Sequence, residues 1–317
     1  MDLRRKVGRK RLVFCILLVG TLVFSGCVQR VAESGGQDIS SVGDPCLSGS
    51  LNGFSVHEWG VFVQEYNCSF TEAVNAPETI PDFPVLVKKP VVYFHYSESI
   101  TDLAVNITFE GDVIVTIPDA APNESGFGWV VDVENNSVIA PNGTVYPYLF
   151  YECRINSSQA LVAHVFDIGD EVIFYLKNIA DYELQDIFYV YGFPRIEQIF
   201  GSGVICVEVD SLHSGEIYVN CIDKTEDKIF NTSHLSDCLV DRGLTEDEAG
   251  ELIEYWEDSF YYRTNTMAYS QIIYGFPQEI YDQYFDMELS VEPESLYRVG
   301  LFLITDVPLY FAPSLDP

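Results

Sequence analysis

Val85-Leu-Val-Lys-Lys-Pro-Val-Val-Tyr-Phe-His-Tyr96 is almost unbroken in apolar and aromatic residues, many of them β-branched. A run this short and this composition suits a strand buried on both faces better than a helix. Reading outward from it, the same pattern recurs. Leu103 to Ile117 alternates about Glu110-Gly111-Asp112, the signature of a hairpin. Trp129–Val133, Val145–Cys153, Ala160–Phe166, Glu171–Lys177 and Leu184–Phe193 follow at the spacing of an antiparallel sandwich or barrel. Thr266–Phe276 and Leu296–Thr305 extend the series near the C-terminus.

Helix enters late. Ser233 to Arg242 reads as a short helix closed by Gly243 as a left-handed cap. Thr245-Glu-Asp-Glu248 is a capping box, with Leu244 stapled to Ala249, and Ala249, Leu252, Ile253, Trp256 and Phe260 recur on one helical face. Pro277 to Phe285 reads as a third helix with proline in its first turn. The expected fold is mainly β, antiparallel and sandwich or barrel-like, with a late helical insertion (helices near 233–263 and 277–285), α+β overall.

Upstream of the strands the character changes. Val28 to Gly53 is small and polar and predicts a flexible tether with a reach of about 25–30 Å. Before it, Arg4, Arg5, Lys6, Arg9, Lys10 and Arg11 precede the apolar run Leu12–Phe24 and then Ser25-Gly26-Cys27. That order is an export signal, and its apolar run falls short of the roughly 20 residues that a spanning helix needs. Cys27 stands where a lipoprotein signal places its lipidated cysteine. The chain is thus expected to divide into a signal peptide (1–27), a tether (28–53) and a β-rich extracytoplasmic domain (54–317). Its expected place is the outer face of the cell membrane, held by a lipid or an uncleaved anchor.

Charge excludes one class of partner. With 17 Lys and Arg against 48 Asp and Glu the net charge is −31, which repels phosphate backbones and rules out nucleic acid. Envelope proteins and carbohydrate remain as partners. Acceptor asparagines for glycosylation occur at Asn67, Asn106, Asn123, Asn135, Asn142, Asn156 and Asn231, several beside turn residues. Beyond Cys15 in the signal and Cys27, the cysteines are Cys46, Cys68, Cys153, Cys206, Cys221 and Cys238, an even set that suggests disulfides in an exported chain. Val204–Asp210 and Glu216–Ile222 alternate about Leu212-His-Ser-Gly215, and that hairpin register sets Cys206 opposite Cys221. Cys46–Cys68 and Cys153–Cys238 are the remaining pairs. No Cys-x-x-Cys supports a zinc reading of the thiols.

The candidate chemistry lies in Val56-His57-Glu58-Trp59-Gly60-Val61-Phe62. No nucleophile elbow, phosphate loop or dinucleotide fingerprint occurs, so no cofactor is expected. His57 and Glu58 are the catalytic candidates, and Glu58 with a second acid would suit glycoside hydrolysis. Alternation along a strand nevertheless sends Val56, Glu58 and Gly60 to one face and His57, Trp59 and Val61 to the other. A metal site would have to gather His57, His95 and His164, with Glu58 or Asp167. Asp167-Ile-Gly-Asp170-Glu171 lacks the spacing of a calcium loop.

The same heptapeptide resembles the His-Glu-Trp-Gly-Thr-Phe motif that opens a family of large exported bacterial proteins. Lys89-Pro-Val-Val-Tyr-Phe-His-Tyr96, Gly243-Leu-Thr-Glu-Asp-Glu-Ala249 through Trp256 and Phe260, and Arg298-Val-Gly-Leu-Phe-Leu-Ile304 resemble further segments of that family in the same order. Val61 replaces its usual Thr, His95 stands where an aromatic is usual, and Asp119 to Asn231 does not align with the family's segments. The resemblance implies a shared architecture and supplies no activity. The sequence leans away from an enzyme, toward an anchored, glycosylated β-rich surface protein with a binding or envelope-structural role. The alternative is an extracytoplasmic hydrolase or metal-dependent enzyme centred on His57-Glu58.

Overall fold

A computed structural model describes residues 50–66, 82–194, 202–225, 232–261 and 268–311. The signal segment, Cys27, most of the tether, Cys46, Cys68, Asn67 and Asn231 lie outside the described residues. The first half holds β1 (Leu51–Glu65), β2 (Phe83–His95), β3 (Ser99–Phe109), β4 (Gly111–Ile117), β5 (Ala121–Asn123), β6 (Gly126–Glu134), β7 (Ser137–Ile139), β8 (Val145–Tyr146) and β9 (Leu149–Ser157). β10 (Leu161–Ile168), β11 (Glu171–Asn178), β12 (Leu184–Pro194), β13 (Ser202–Leu212) and β14 (Ile217–Asp223) follow. The helices α1 (Thr232–Asp241) and α2 (Glu246–Tyr261) precede β15 (Tyr269–Phe276), α3 (Gln278–Tyr284), β16 (Phe285–Leu289), β17 (Pro293–Thr305) and β18 (Leu309–Phe311). The protein is β-rich and mostly antiparallel, as expected, with three helices among the described residues.

The strands form open sheets. The largest has the order β13-β12-β15-β17-β1-β2-β9-β4. β14-β11-β10-β18 forms a second sheet, and β16-β3-β6-β7-β8 a third, with β5 beside β6. Only β1–β17 and β10–β18 pair parallel among the described residues. The large sheet is apolar on both faces, which explains the unbroken character of β1 and β2. Val56 and Phe62 of β1 join a core shared with residues of both smaller sheets, whereas Trp59 and Val61 join a second core with Leu235, Leu239, Leu252 and Trp256 of α1 and α2. Burial of side chains this size removes roughly 1.5–3 kcal/mol each from water, so the strand is held from both sides.

Local chemistry fixes where the strands bend. Pro90 has no N–H to give to a ladder, and the β1–β2 register slips there, from Trp59↔Val91 to Val61↔Lys88. Lys89 takes a left-handed backbone at φ 50°. Gly60 faces the same irregularity, and a Cβ on it would meet Pro90 Cγ at 3.3 Å.

Four expectations need correction. Glu110-Gly111-Asp112 does not close a hairpin: β3 pairs with β6 and β16, while β4 pairs with β9 in the large sheet. Leu212–Gly215 does turn the chain, with Gly215 at φ 78°, but it carries it from the large sheet into the second one. Cys206 therefore sits opposite Val190 in the core under the helices, Cys221 sits opposite Ile173 in another sheet, and the expected Cys206–Cys221 bridge does not form. The Cys153–Cys238 pair fails for a related reason: Cys153 is a free thiol in the core between the sheets, and Cys238 is a free thiol on α1 across the large sheet. Finally, β1 begins at Leu51, whose partner is Pro293, so the last residues assigned to the tether belong to the sheet.

The helical segment follows its sequence closely. Leu244 N–H bonds Leu239 O at 3.3 Å and Gly243 N–H bonds Val240 O at 2.9 Å, a Schellman closure of α1 around Gly243 at φ 105°. The capping box forms: Thr245 Oγ1 accepts from Glu248 N–H at 3.2 Å, and Thr245 N–H donates to Glu248 Oε2 at 2.8 Å.

Candidate functional site

Alternation along β1 places His57 on the helix side of the large sheet, and β2 runs antiparallel beside it with His57 opposite Tyr93 and Ser55 opposite His95. His57 and His95 are thus diagonal neighbours on one face, with ring centroids 4.4 Å apart. The first turn of α2 descends onto them. Glu248 Oε2 accepts a hydrogen bond from His57 Nδ1 at 2.9 Å, and its Oε1 accepts one from His95 Nε2 at 2.8 Å. Neutral imidazoles satisfy both contacts when each carries its proton on the bonded nitrogen.

Glu248 is buried and doubly used, since Oε2 also accepts the Thr245 N–H. Burial pushes its carboxyl up, but the hydrogen bonds from His57, His95 and Thr245 outweigh that and hold it down at about 2. The surroundings are aromatic: Tyr297 of β17 meets His57 edge-on at 5.3 Å, and Tyr93 stacks near His95 at 6.5 Å. One turn along α2, Glu251 Oε2 accepts from Tyr93 Oη at 2.6 Å, and its Oε1 lies 3.5 Å from Lys89 Nζ. Lys89 covers the Tyr255 ring at 3.8 Å. Burial, followed by the bond to Glu251, raises the Tyr93 phenol far above its ordinary value, so it stays a neutral donor.

Glu58, the other candidate, points the opposite way and is fully buried. Its Oε2 accepts from Arg298 Nε at 2.6 Å and its Oε1 from Tyr151 Oη at 2.5 Å. Arg298 also bonds Asp282 Oδ1 at 2.8 Å and Phe285 O at 2.5 Å, beneath the Tyr281 ring. With both oxygens engaged and no exposed surface, Glu58 belongs to a buried ion pair with Arg298. β1 thus separates the expected pair of His57 and Glu58, and the fold gathers His57, His95 and Glu248 instead.

His164 is not part of it. It lies on β10 in the second sheet, stacked on Tyr175 at 5.9 Å, and burial lowers it to about 4. Asp167 is likewise engaged elsewhere, 2.6 Å from Lys224 Nζ and from Tyr191 Oη. Burial raises the Cys153 and Cys206 thiols well above their ordinary value, and Cys238 is pushed up to about 12, so none of the three is a thiolate nucleophile. Glu248 was missed as a site residue because its capping-box position already accounts for it locally.

Among the described acceptor asparagines, Asn135 and Asn142 lie in turns, and Asn106, Asn123 and Asn156 lie on strands. Asn123, Asn135, Asn142 and Asn156 are exposed, and Asn106 is half-buried on β3. Asn123 Oδ1 accepts from Ser125 N–H at 3.1 Å and Asn142 Oδ1 from Thr144 N–H at 2.9 Å, local turns at two exposed positions. Asn106 and Asn123 border a shallow cavity of about 450 Å³ that lies apart from the histidines.

No family model matches the chain, and no curated protein matches it in sequence. Solved structures similar to it include the yeast delta-COP-I mu-homology domain at 7% identity and a TM-score of 0.36. The same domain complexed with a Dsl1 WxWxV peptide gives 8% and 0.35, and each alignment covers 82% of this chain and 98% of the other. Likeness at that level carries no argument about fold or partner.

Proposed function

We propose that the chain is an exported protein anchored to the outer face of the cell membrane through Cys27, or through an uncleaved signal. There it works as a glycosylated, β-rich module with a binding or envelope-structural role. Its fold on this proposal is an α+β sandwich whose large sheet is covered by helices on one face and by the smaller sheets on the other. The observation that carries the non-enzymatic reading is the splitting of His57 from Glu58 by β1, which removes the expected catalytic pair. Exposed acceptor asparagines, with Asn135 and Asn142 in turns, support a sugar-coated surface. Among the described residues no helix is long and apolar enough to cross a membrane. The test is intact mass and fractionation of protein from its native host. The expected result is a membrane-associated species starting at Cys27 with lipid mass, which loses further mass on deglycosylation. An unmodified chain starting at Met1 in the cytosol contradicts the proposal. A second reading, a metal-dependent extracytoplasmic enzyme, keeps His57 and exchanges Glu58 for Glu248.

A further inference from the structure

We propose that His57, His95 and Glu248 together bind one first-row divalent transition-metal ion of the zinc class, leaving a coordination position open to solvent. One ring nitrogen each of His57 and His95 and one Glu248 oxygen all lie within 4.8 Å of one another. Tetrahedral coordination at about 2.0–2.1 Å needs ligand atoms about 3.3–3.4 Å apart, so the present contacts of 2.8 and 2.9 Å need to open by only about half an ångström. Two imidazoles and one carboxylate select zinc, copper, nickel or iron over calcium and magnesium, which demand six or more oxygens.

The donors are also held as ligands need to be. Two come from adjacent strands of one sheet, whose register fixes their separation. The third comes from a helix turn fastened by its own capping box, so the Thr245 N–H orients the carboxylate from behind. Tyr297 and Tyr93 restrict the two rings. Burial differs across the cluster: Glu248 is 4% exposed, whereas His95 is 33% exposed. The open coordination position therefore faces the His95 side, where water or a ligand donor group from another molecule reaches it. A bound ion would also tie the late helical segment to β1 and β2.

The experiment is calorimetric titration of the chelator-treated full chain with zinc chloride, with cobalt(II) absorption as a second readout. The expected result is one zinc per chain with sub-micromolar affinity, together with the visible bands of tetrahedral cobalt. His95→Ala and Glu248→Gln should each weaken zinc by at least about tenfold and abolish those bands, as loss of a ligand requires. Glutamine at 248 preserves the capping box and His95 ends its strand, so both variants should keep the wild-type circular dichroism spectrum. His213→Ala, at an exposed histidine paired with Glu183, should bind as wild type does. Absence of binding at micromolar zinc overturns the proposal. So does affinity unchanged in either ligand variant, or an equal loss in His213→Ala.

Discussion

On one face of β1, His57 meets a carboxylate at the edge of solvent; on the other, Glu58 meets a guanidinium with no solvent at all. The two residues are adjacent, and the pleat alone separates their fates. The Glu58–Arg298 pair is closed: both oxygens of the carboxylate are engaged, and the Tyr281 ring lies over the guanidinium. The His57–His95–Glu248 group is hydrogen-bonded yet open on one side. A polar group sealed in a core specifies structure, whereas one that reaches a rim is available to a ligand.

The largest effect should come from breaking the closed side. Arg298→Met strands Glu58 as a buried anion and should cost about 3–5 kcal/mol in urea unfolding. The double change Arg298→Met with Glu58→Leu should recover most of that loss, because it removes both charges. Recovery of less than half would mean that the pair contributes more than its own neutralisation.

Next comes a group buried away from both faces. His164 is held at about 4 against an ordinary value of 6.5. Between those values the unfolded chain binds a proton that the folded one refuses, so stability falls as pH drops through that window. The loss should reach about 3 kcal/mol by pH 4. His164→Phe should flatten that part of the stability–pH curve while leaving zinc binding intact; an unchanged slope would show that the ring is not the source.

A smaller effect is expected on the open side. Thr245→Ala removes the cap of α2 and one of the bonds to Glu248, costing about 1 kcal/mol, with no effect on the Glu58–Arg298 pair. Thermal unfolding of the triple variant should show the Thr245 and Arg298–Glu58 changes adding independently. At the bottom of the scale, Asn142→Gln on its exposed loop should alter stability by less than about 0.5 kcal/mol, with a mobility shift in native material as the only readout.

Much of this was legible. The unbroken apolar run of β2 reported a strand covered on both sides, and alternation alone predicted that His57 and Glu58 part company. The caps at Gly243 and Thr245 were readable because capping is local chemistry. What escaped was long-range. Glu110–Asp112 and Leu212–Gly215 carry the composition of hairpin turns, but a turn does not say which sheet receives the next strand, and both send the chain into a different one. The cysteine register failed with the second of these. Glu248 lies 191 residues from His57, and its capping role gave no sign of a second use. His95 was identified as a metal candidate from its strand, while His164, equally strand-borne, belongs to another sheet.

The division of labour across β1 is tested most directly by the thermal midpoint with and without zinc in two variants. Zinc should raise the midpoint of the Glu58→Leu, Arg298→Met double variant as it does that of the wild type, and it should leave His57→Ala unmoved. A zinc response lost in the double variant, or kept by His57→Ala, would contradict the account.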